Sequence, residues 1–156
     1  MDDLNYFTYN TPVGKVTLAS DGVSLIRLVP GEATLEGQHM PNAVTNAAAT
    51  QLQEYLAGKR RIFDIPIAAA GSVFQRDVWR ALEHIPYGQT RTYAQVATLI
   101  DRPGAARAVG TANAANPIPI IIPCHRVIPA SGGIGGYAYG ADMKRFLLNL
   151  ERNNSL

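Results

Sequence analysis

The sequence predicts two small units in tandem. Residues 1–70 read as an α/β unit, a small antiparallel sheet with one helix, and residues 71–156 as a mostly helical unit containing a helix-turn-helix. Three observations carry this. A chain of 156 residues fits one ordinary domain or two small ones packed together. The first half alternates apolar and polar residues between Gly and Asp turns, the period of strands. After Gly71 the apolar spacing becomes helical, opened twice by a Ser/Thr-x-x-Gln start.

In chain order, Leu4 to Tyr9 alternates and is rich in aromatics, so it reads as a first strand. Thr11-Pro12-Val13-Gly14 is a turn, Lys15 to Ala19 a second strand, Asp21-Gly22 a tight turn, and Val23 to Val29 a third strand. Gly31 to Asn42 is expected to be a loop. Val44, Ala48, Leu52, Tyr55 and Leu56 share one helical face, and Gly58 ends that helix. Ile62 to Ile67 is expected as one more short strand. In the second unit Ser72-x-x-Gln75 caps a helix whose stripe is Phe74, Val78, Ala81, Leu82 and Ile85. Thr92-x-x-Gln95 caps another, with Tyr93, Val96, Ala97 and Ile100 inward. About three residues around Arg102-Pro103-Gly104 separate it from a third, with Ala105, Ala108, Val109 and Ala112 inward; this pair is the helix-turn-helix. Met143, Phe146, Leu147 and Leu150 define a final helix.

Composition narrows the function classes. Hydrophobic residues at 47% and charged residues at 17% exclude a disordered tail. No apolar run approaches the ~18 residues of a membrane span. The start, Met1-Asp2-Asp3-Leu4, is acidic and lacks a signal pattern. The single cysteine excludes an intramolecular disulfide and a Cys-rich zinc site, so a reduced, cytoplasmic protein is expected. Residues 1–70 hold 5 Lys/Arg against 7 Asp/Glu, or −2, and residues 71–156 hold 9 against 5, or +4. The basic half fits either a polyanionic partner or ordinary charge scatter.

Four features carry possible chemistry. Arg107, Gly110, Thr111 and Ala114 share the outer face of the third helix, a lone arginine among very small residues. Such a face suits close approach to a nucleic-acid groove or to a neighbouring helix. Next, the proline-stiffened run Asn116-Pro117-Ile118-Pro119-Ile120-Ile121-Ile122-Pro123 delivers Cys124-His125-Arg126-Val127. A cysteine beside two potential cations is expected to have a lowered pKa and more thiolate; the other reading is a buried small hydrophobe. The glycine-rich run Ser131 to Gly140 is either a ligand-approaching loop or a flexible one. Glu151, at the border of the last apolar stripe, either orients a histidine or is solvated.

Taken together these residues resemble the O6-alkylguanine-DNA alkyltransferase family. The matching segments run in that family's order over the 78 residues from Phe74 to Glu151: Phe74-Gln75 with Val78-Trp79, Ile85-Pro86-Tyr87-Gly88 with Thr90, Thr92-Tyr93 with Ala97, Arg107-Ala108-Val109-Gly110, Asn116-Pro117, Pro123-Cys124-His125-Arg126-Val127, Gly135-Gly136-Tyr137, and Lys144 with Leu147-Leu148 and Glu151. The resemblance implies a DNA repair protein that rotates O6-alkylguanine out of double-stranded DNA and transfers the alkyl group irreversibly to its own Cys124. It implies that His125 is the base, acting through a water, that Glu151 orients His125, that Asn116 braces the active-site turn, and that Tyr93 donates toward the flipped base. It implies a DNA-binding face of Arg107, Ala108, Gly110 and Thr111, with Tyr93 and Arg126, and a pocket of Pro119, Val127, Tyr137, Ala138 and Tyr139. In it the carbonyls of Cys124 and Val127 accept from the guanine amine and the Ala138 N–H faces O6. No cofactor, metal or membrane partner is implied, and the protein is expected to be a monomer. The competing readings are a cysteine hydrolase, a lesion-binding relative without transfer, and a helix-turn-helix regulator with a structural cysteine.

Overall fold

A computed structural model describes residues 4–155; the acidic start read at Met1 to Asp3 lies outside the described residues. The chain divides into two compact units, Met1–Ala70 and Gly71–Leu156.

In the first unit β1 (Asn5–Thr11), β2 (Gly14–Ser20) and β3 (Leu25–Pro30) form an antiparallel meander. Gly14, at φ +101°, lets the β1–β2 hairpin close where a side chain would strain the backbone. The third strand starts at Leu25, later than the apolar run, because the Asp21 carboxylate accepts from the N–H groups of Val23 and Ser24 and holds Val23 in the exposed turn. The segment expected as a loop contains β4 (Gln38–His39), which pairs in parallel with β1. The sheet order is therefore β3-β2-β1-β4 and the sheet is mixed. Two exposed residues carry no alternation; what fixes them is pairing with Asn5 and Tyr6, and the His39 ring stacked on Tyr6 at 5.0 Å. Helix α1 (Ala43–Leu56) opens on an Asn42 capping box and buries Ala48, Leu52, Tyr55 and Leu56, with Thr45 rather than the half-buried Val44 completing the face. Thr45 goes inward because its hydroxyl meets the Tyr9 hydroxyl at 2.8 Å. The strand expected at Ile62 to Ile67 does not form. Only a single bridge joins Ile67 to Leu25, Ile62 is exposed, and Pro66 has no N–H to extend a ladder.

In the second unit α2 (Val73–Glu83) and α3 (Tyr93–Leu99) start on the expected capping boxes at Ser72/Gln75 and Thr92/Gln95. A two-residue strand β5 (Arg91–Thr92) immediately precedes α3. Helix α4 (Ala106–Ala114) follows α3 after six residues rather than three, with Asp101 at φ 60° and Gly104 at φ 89° turning the chain. The buried face of α4 is Val109, Ala112 and Asn113; Ala108 is exposed, against expectation. An alanine gives little hydrophobic bias, and the i, i+3, i+4 set that starts at Val109 fixes the helix rotation. Trp79 ties α2 to α4 by donating its buried indole N–H to the Ala112 carbonyl at 2.9 Å. A 3-10 turn (Cys124–Arg126) leads into β6 (Val127–Ile128), parallel to β5. Helix α5 (Ala141–Asn153) buries Lys144, Leu147 and Glu151, while Phe146, expected inward, is 41% exposed. Two charged groups with buried partners have taken the place that the apolar stripe assigned to Phe146. No helix among the described residues is long and apolar enough to cross a membrane.

Candidate active site

The path from α4 to Cys124 is a braced turn. Asn116 is buried; its Nδ2 donates to the Ile122 carbonyl at 2.8 Å and its Oδ1 accepts from the Ile118 N–H at 2.9 Å. The Ile122 N–H closes the same turn on the Ile118 carbonyl at 2.9 Å. Inside it Ile120 sits at φ 74°, a left-handed conformation that a β-branched residue adopts only under constraint, at a cost of about 1–3 kcal/mol. The Asn116 amide and the surrounding prolines supply that constraint.

Cys124 is only 3% exposed. It stands on the wall of a cavity of about 290 Å³ lined by Tyr93 and Gly110, by Asn113, Ala114 and Asn116, and by Gly136, Tyr137, Ala138 and Tyr139. Tyr137, Ala138 and Tyr139 thus line the pocket. Pro119 and Val127 do not: Pro119 is buried in a bridge with Ile122, and Val127 begins β6 opposite Arg91. The Cys124 carbonyl accepts from Asn113 Nδ2 at 3.2 Å and from the Val127 N–H. The Val127 carbonyl accepts from Lys144 Nζ at 2.7 Å.

Behind the thiol lies a buried ionic cluster centred on Glu151. Its Oε2 meets His125 Nε2 at 2.7 Å and Arg126 Nη2 at 2.9 Å; its Oε1 accepts from Arg126 Nε at 2.9 Å and from the Gly88 N–H at 3.1 Å. Arg126 Nη1 also donates to the Ile85 carbonyl at 2.7 Å, and the guanidinium lies over the Tyr87 ring at 5.8 Å. Arg126, expected on the DNA face, is therefore an interior counterion, 7% exposed. A guanidinium fork matches a carboxylate with two parallel bonds, and that pairing drew the side chain inward.

The cluster fixes protonation states. Burial alone would raise Glu151, but the bonds and charges of His125 and Arg126 hold its carboxyl well below the usual range. Burial lowers His125, and Arg126 and Lys144 oppose a further cation there, outweighing the pull of Glu151. An ionised carboxylate only accepts, so the neutral imidazole carries its proton on Nε2 and leaves Nδ1 as its basic nitrogen.

The thiol departs from expectation. Burial pushes Cys124 up, not down. The adjacent cations do not lower it, because His125 is neutral and Arg126 is committed to Glu151. Hydrogen bonds from Asn116 and Tyr137 and the charge of Lys144 pull it part of the way back. Sequence reading gave Lys144 and Asn113 no role. Lys144 is fully buried and its ammonium also donates to the Gly136 carbonyl at 3.0 Å, tying the glycine-rich loop to β6. A lysine inside an apolar stripe was the available signal for it; Asn113 had none.

On the outer side of α4, Arg107, Ala108, Thr111 and Ala114 are exposed and Gly110 is half-buried; a side chain on Gly110 would touch the Tyr93 ring at 3.7 Å. Tyr93, half-buried, therefore packs against the helix that carries Arg107 and lines the cavity of Cys124. Among the described residues no group of three His, Cys, Asp or Glu is placed to hold a metal ion.

Comparison with known proteins covers both units. The DNA binding domain of 6-O-methylguanine DNA methyltransferase matches residues 73–153, and the ribonuclease-like domain of the same family matches residues 4–69. A methylated-DNA–protein-cysteine methyltransferase of Methanosarcina acetivorans is 46% identical over 154 residues, covering 94% of this chain and 97% of that protein. One from Mycolicibacterium paratuberculosis is 48% identical over 157 residues, covering 97% and 94%. A crystal structure of Mycobacterium tuberculosis OGT in complex with DNA superposes with a TM-score of 0.90 at 46% identity, covering 96% of this chain and 94% of that one.

The buried cluster makes stability depend on pH. His125 and Glu151 both lie below their ordinary values of 6.5 and 4.5. The folded chain then binds fewer protons than the unfolded one on acidification, so stability rises with pH. Urea midpoints are expected to fall as pH drops below 6.5 through His125, and further below 4.5 through Glu151. Glu151→Gln flattens the lower limb and, by leaving Arg126 buried without a counterion, costs about 3–5 kcal/mol at neutral pH. A midpoint constant from pH 7 to 4 contradicts this.

Proposed function

The chain belongs to the methylated-DNA–protein-cysteine methyltransferase family, whose members' names state methyl transfer from methylated DNA to a protein cysteine; it has that activity, and we propose that Cys124 is the acceptor and accepts once. The observation that carries this is that the only cysteine of the chain stands on the wall of the partly open cavity, followed directly by the histidine bonded to Glu151.

The substrate is double-stranded DNA bearing O6-alkylguanine. The alkyl carbon is out of reach within the stack, so the base turns out into the cavity. Residues 71–156 bind DNA and accept the alkyl group; residues 1–70 act as scaffold. The small-residue face of α4 enters the minor groove, which is nearly silent on sequence and so suits damage at any site. Thr111, Ala108 and Gly110 allow the approach, Arg107 fills the space the base leaves, and Tyr93, between that helix and the cavity, donates toward the flipped base.

His125 Nδ1 takes the thiol proton through a water, and Glu151 holds the ring in the tautomer that makes this possible. The thiolate attacks the alkyl carbon in line. The C–S bond forms, the C–O6 bond breaks, and guanine leaves with the electron pair and takes up the proton. A thioether has no ready leaving path, so the protein is consumed. Thiolate and leaving group suffice, with no cofactor. All these residues belong to one unit of one chain, which supports a monomer, and a thiol that must stay reduced supports the cytoplasm.

Intact-mass measurement after incubation with O6-methylguanine DNA is expected to show one added methyl per chain, mapped to Cys124, and none on Cys124→Ser; methylation elsewhere or repeated turnover sinks the reading. Arg107→Ala is expected to slow repair of duplex DNA at least tenfold while changing reaction with the free modified base less than twofold (~1.4 kcal/mol per factor of ten). Equal losses on both substrates remove Arg107 from base extrusion. Tyr139 stacks edge-on against Tyr137 at 5.8 Å on the cavity wall. It is expected to leave room for a methyl adduct and to hinder a benzyl ring, so Tyr139→Gly raises reaction with O6-benzylguanine relative to the methyl lesion. An unchanged ratio shows that Tyr139 does not limit adduct size.

A further inference from the structure

The hydroxyl of Tyr137 is buried with no hydrogen-bond partner, on the wall of the cavity that Cys124 also lines. Buried hydroxyls seldom go unmatched, so the group it serves needs identifying. Tyr137 and Cys124 share that cavity wall, and each feels the other's ionisation: the phenol favours the thiolate, and the thiolate keeps the phenol protonated. Its ring is held from one side by Tyr139, and the residue before it, Gly136, is pinned through its carbonyl by Lys144. We propose that Tyr137 is a catalytic residue as well as a pocket wall: its hydroxyl donates to the Cys124 sulfur and holds the nucleophile as thiolate until it attacks. This rests on the reading that Cys124 is the alkyl acceptor.

Every other group around the sulfur has a different task. Asn116 supplies a second hydrogen bond but also spans the turn from Ile118 to Ile122. Lys144, from α5, supplies charge while its ammonium is bonded to two carbonyls. Tyr93, from α3, is near enough to feel the thiolate charge. His125 and Arg126 are bonded to Glu151. Tyr137 keeps its own proton throughout, since burial and the neighbouring thiolate both hold the phenol protonated far above its ordinary value. The thiol proton goes to His125, not to the phenol. On attack the sulfur lone pair becomes the C–S bond, and the thioether is too weak an acceptor to keep the hydrogen bond.

A donor to a thiolate has two opposed effects. It raises the fraction of thiolate at a given pH and makes that thiolate less nucleophilic, with a Brønsted coefficient of about 0.4–0.5. Removing it should therefore slow the reaction at low pH and speed it at high pH, a crossing that a merely structural residue does not produce.

The test is the pH–rate profile of Cys124 in the parent protein and in Tyr137→Phe, which keeps the ring. The probe is iodoacetamide, small enough for the cavity; it reads thiol reactivity whether or not DNA is the substrate. Parallel assays with O6-methylguanine DNA read the acceptor assignment separately. For a midpoint raised by one pH unit, the variant should react about threefold slower below the midpoint and about threefold faster above it. Coincident profiles, or a constant loss at every pH, overturn the proposal. In the unmodified protein, the proton NMR signal of the Tyr137 hydroxyl should move downfield as Cys124 ionises and return once Cys124 is alkylated. A signal indifferent to both events overturns the proposal even if the variant does not fold.

Discussion

The carboxylate of Glu151 is buried among four donors: His125 Nε2, two nitrogens of Arg126, and the Gly88 N–H. Removing a carboxylate from water is costly, and a buried ion pair often stabilises a fold no better than apolar residues of the same volume. The pairing here does something an apolar contact cannot. It fastens α5, the turn that carries Cys124, and the Gly88 segment to one point. It neutralises Arg126, and it leaves His125 uncharged with its proton on the far nitrogen. In the proposed mechanism the neighbour of Cys124 serves as base because of a residue 26 positions further along the chain.

The thiol is poised by opposed forces. Burial of the thiol raises Cys124; Asn116, Tyr137 and Lys144 oppose that rise. A fully exposed thiol would ionise more readily but would lack an enclosing pocket to hold the alkyl carbon in line. Lys144 serves both sides of this balance. Its ammonium contributes charge, and its bonds to the Val127 and Gly136 carbonyls connect the strand after Cys124 to the loop that forms the rim. The strained Ile120 and the bracing Asn116 amide show the same economy in the approach to Cys124: a backbone conformation that is unfavourable alone is held by two hydrogen bonds from one side chain.

Local chemistry was legible in the sequence and long-range pairing was not. The capping boxes at Ser72 and Thr92 depend on residues three apart, and the β1–β2 hairpin on a turn of a few residues; all three form as the sequence indicates. Strand β4 depends on partners more than thirty positions away, and the segment near Ile62 finds only the single bridge from Ile67 to Leu25, too little for a strand. Ala108 and Phe146 show the weakness of counting apolar residues on a helix when polar ones have buried partners. In the site, the expected lowering of Cys124 came from treating sequence neighbours as spatial ones, and the DNA-face placement of Arg126 came with the family resemblance; Arg126 turns away from the thiol toward Glu151. The pairing of His125 with Glu151 came from family resemblance, since no spacing rule links them.

The account rests on His125 being a neutral imidazole with its proton on Nε2. Nitrogen NMR of histidine-labelled protein measures this directly. Of the three histidines, His125 should show a protonated Nε2 and an unprotonated Nδ1 at neutral pH, and Glu151→Gln should abolish that single tautomer. An imidazolium at neutral pH, or a proton on Nδ1, would contradict the account: the imidazolium has no basic nitrogen, and the Nδ1–H tautomer has only Nε2, which is turned toward Glu151.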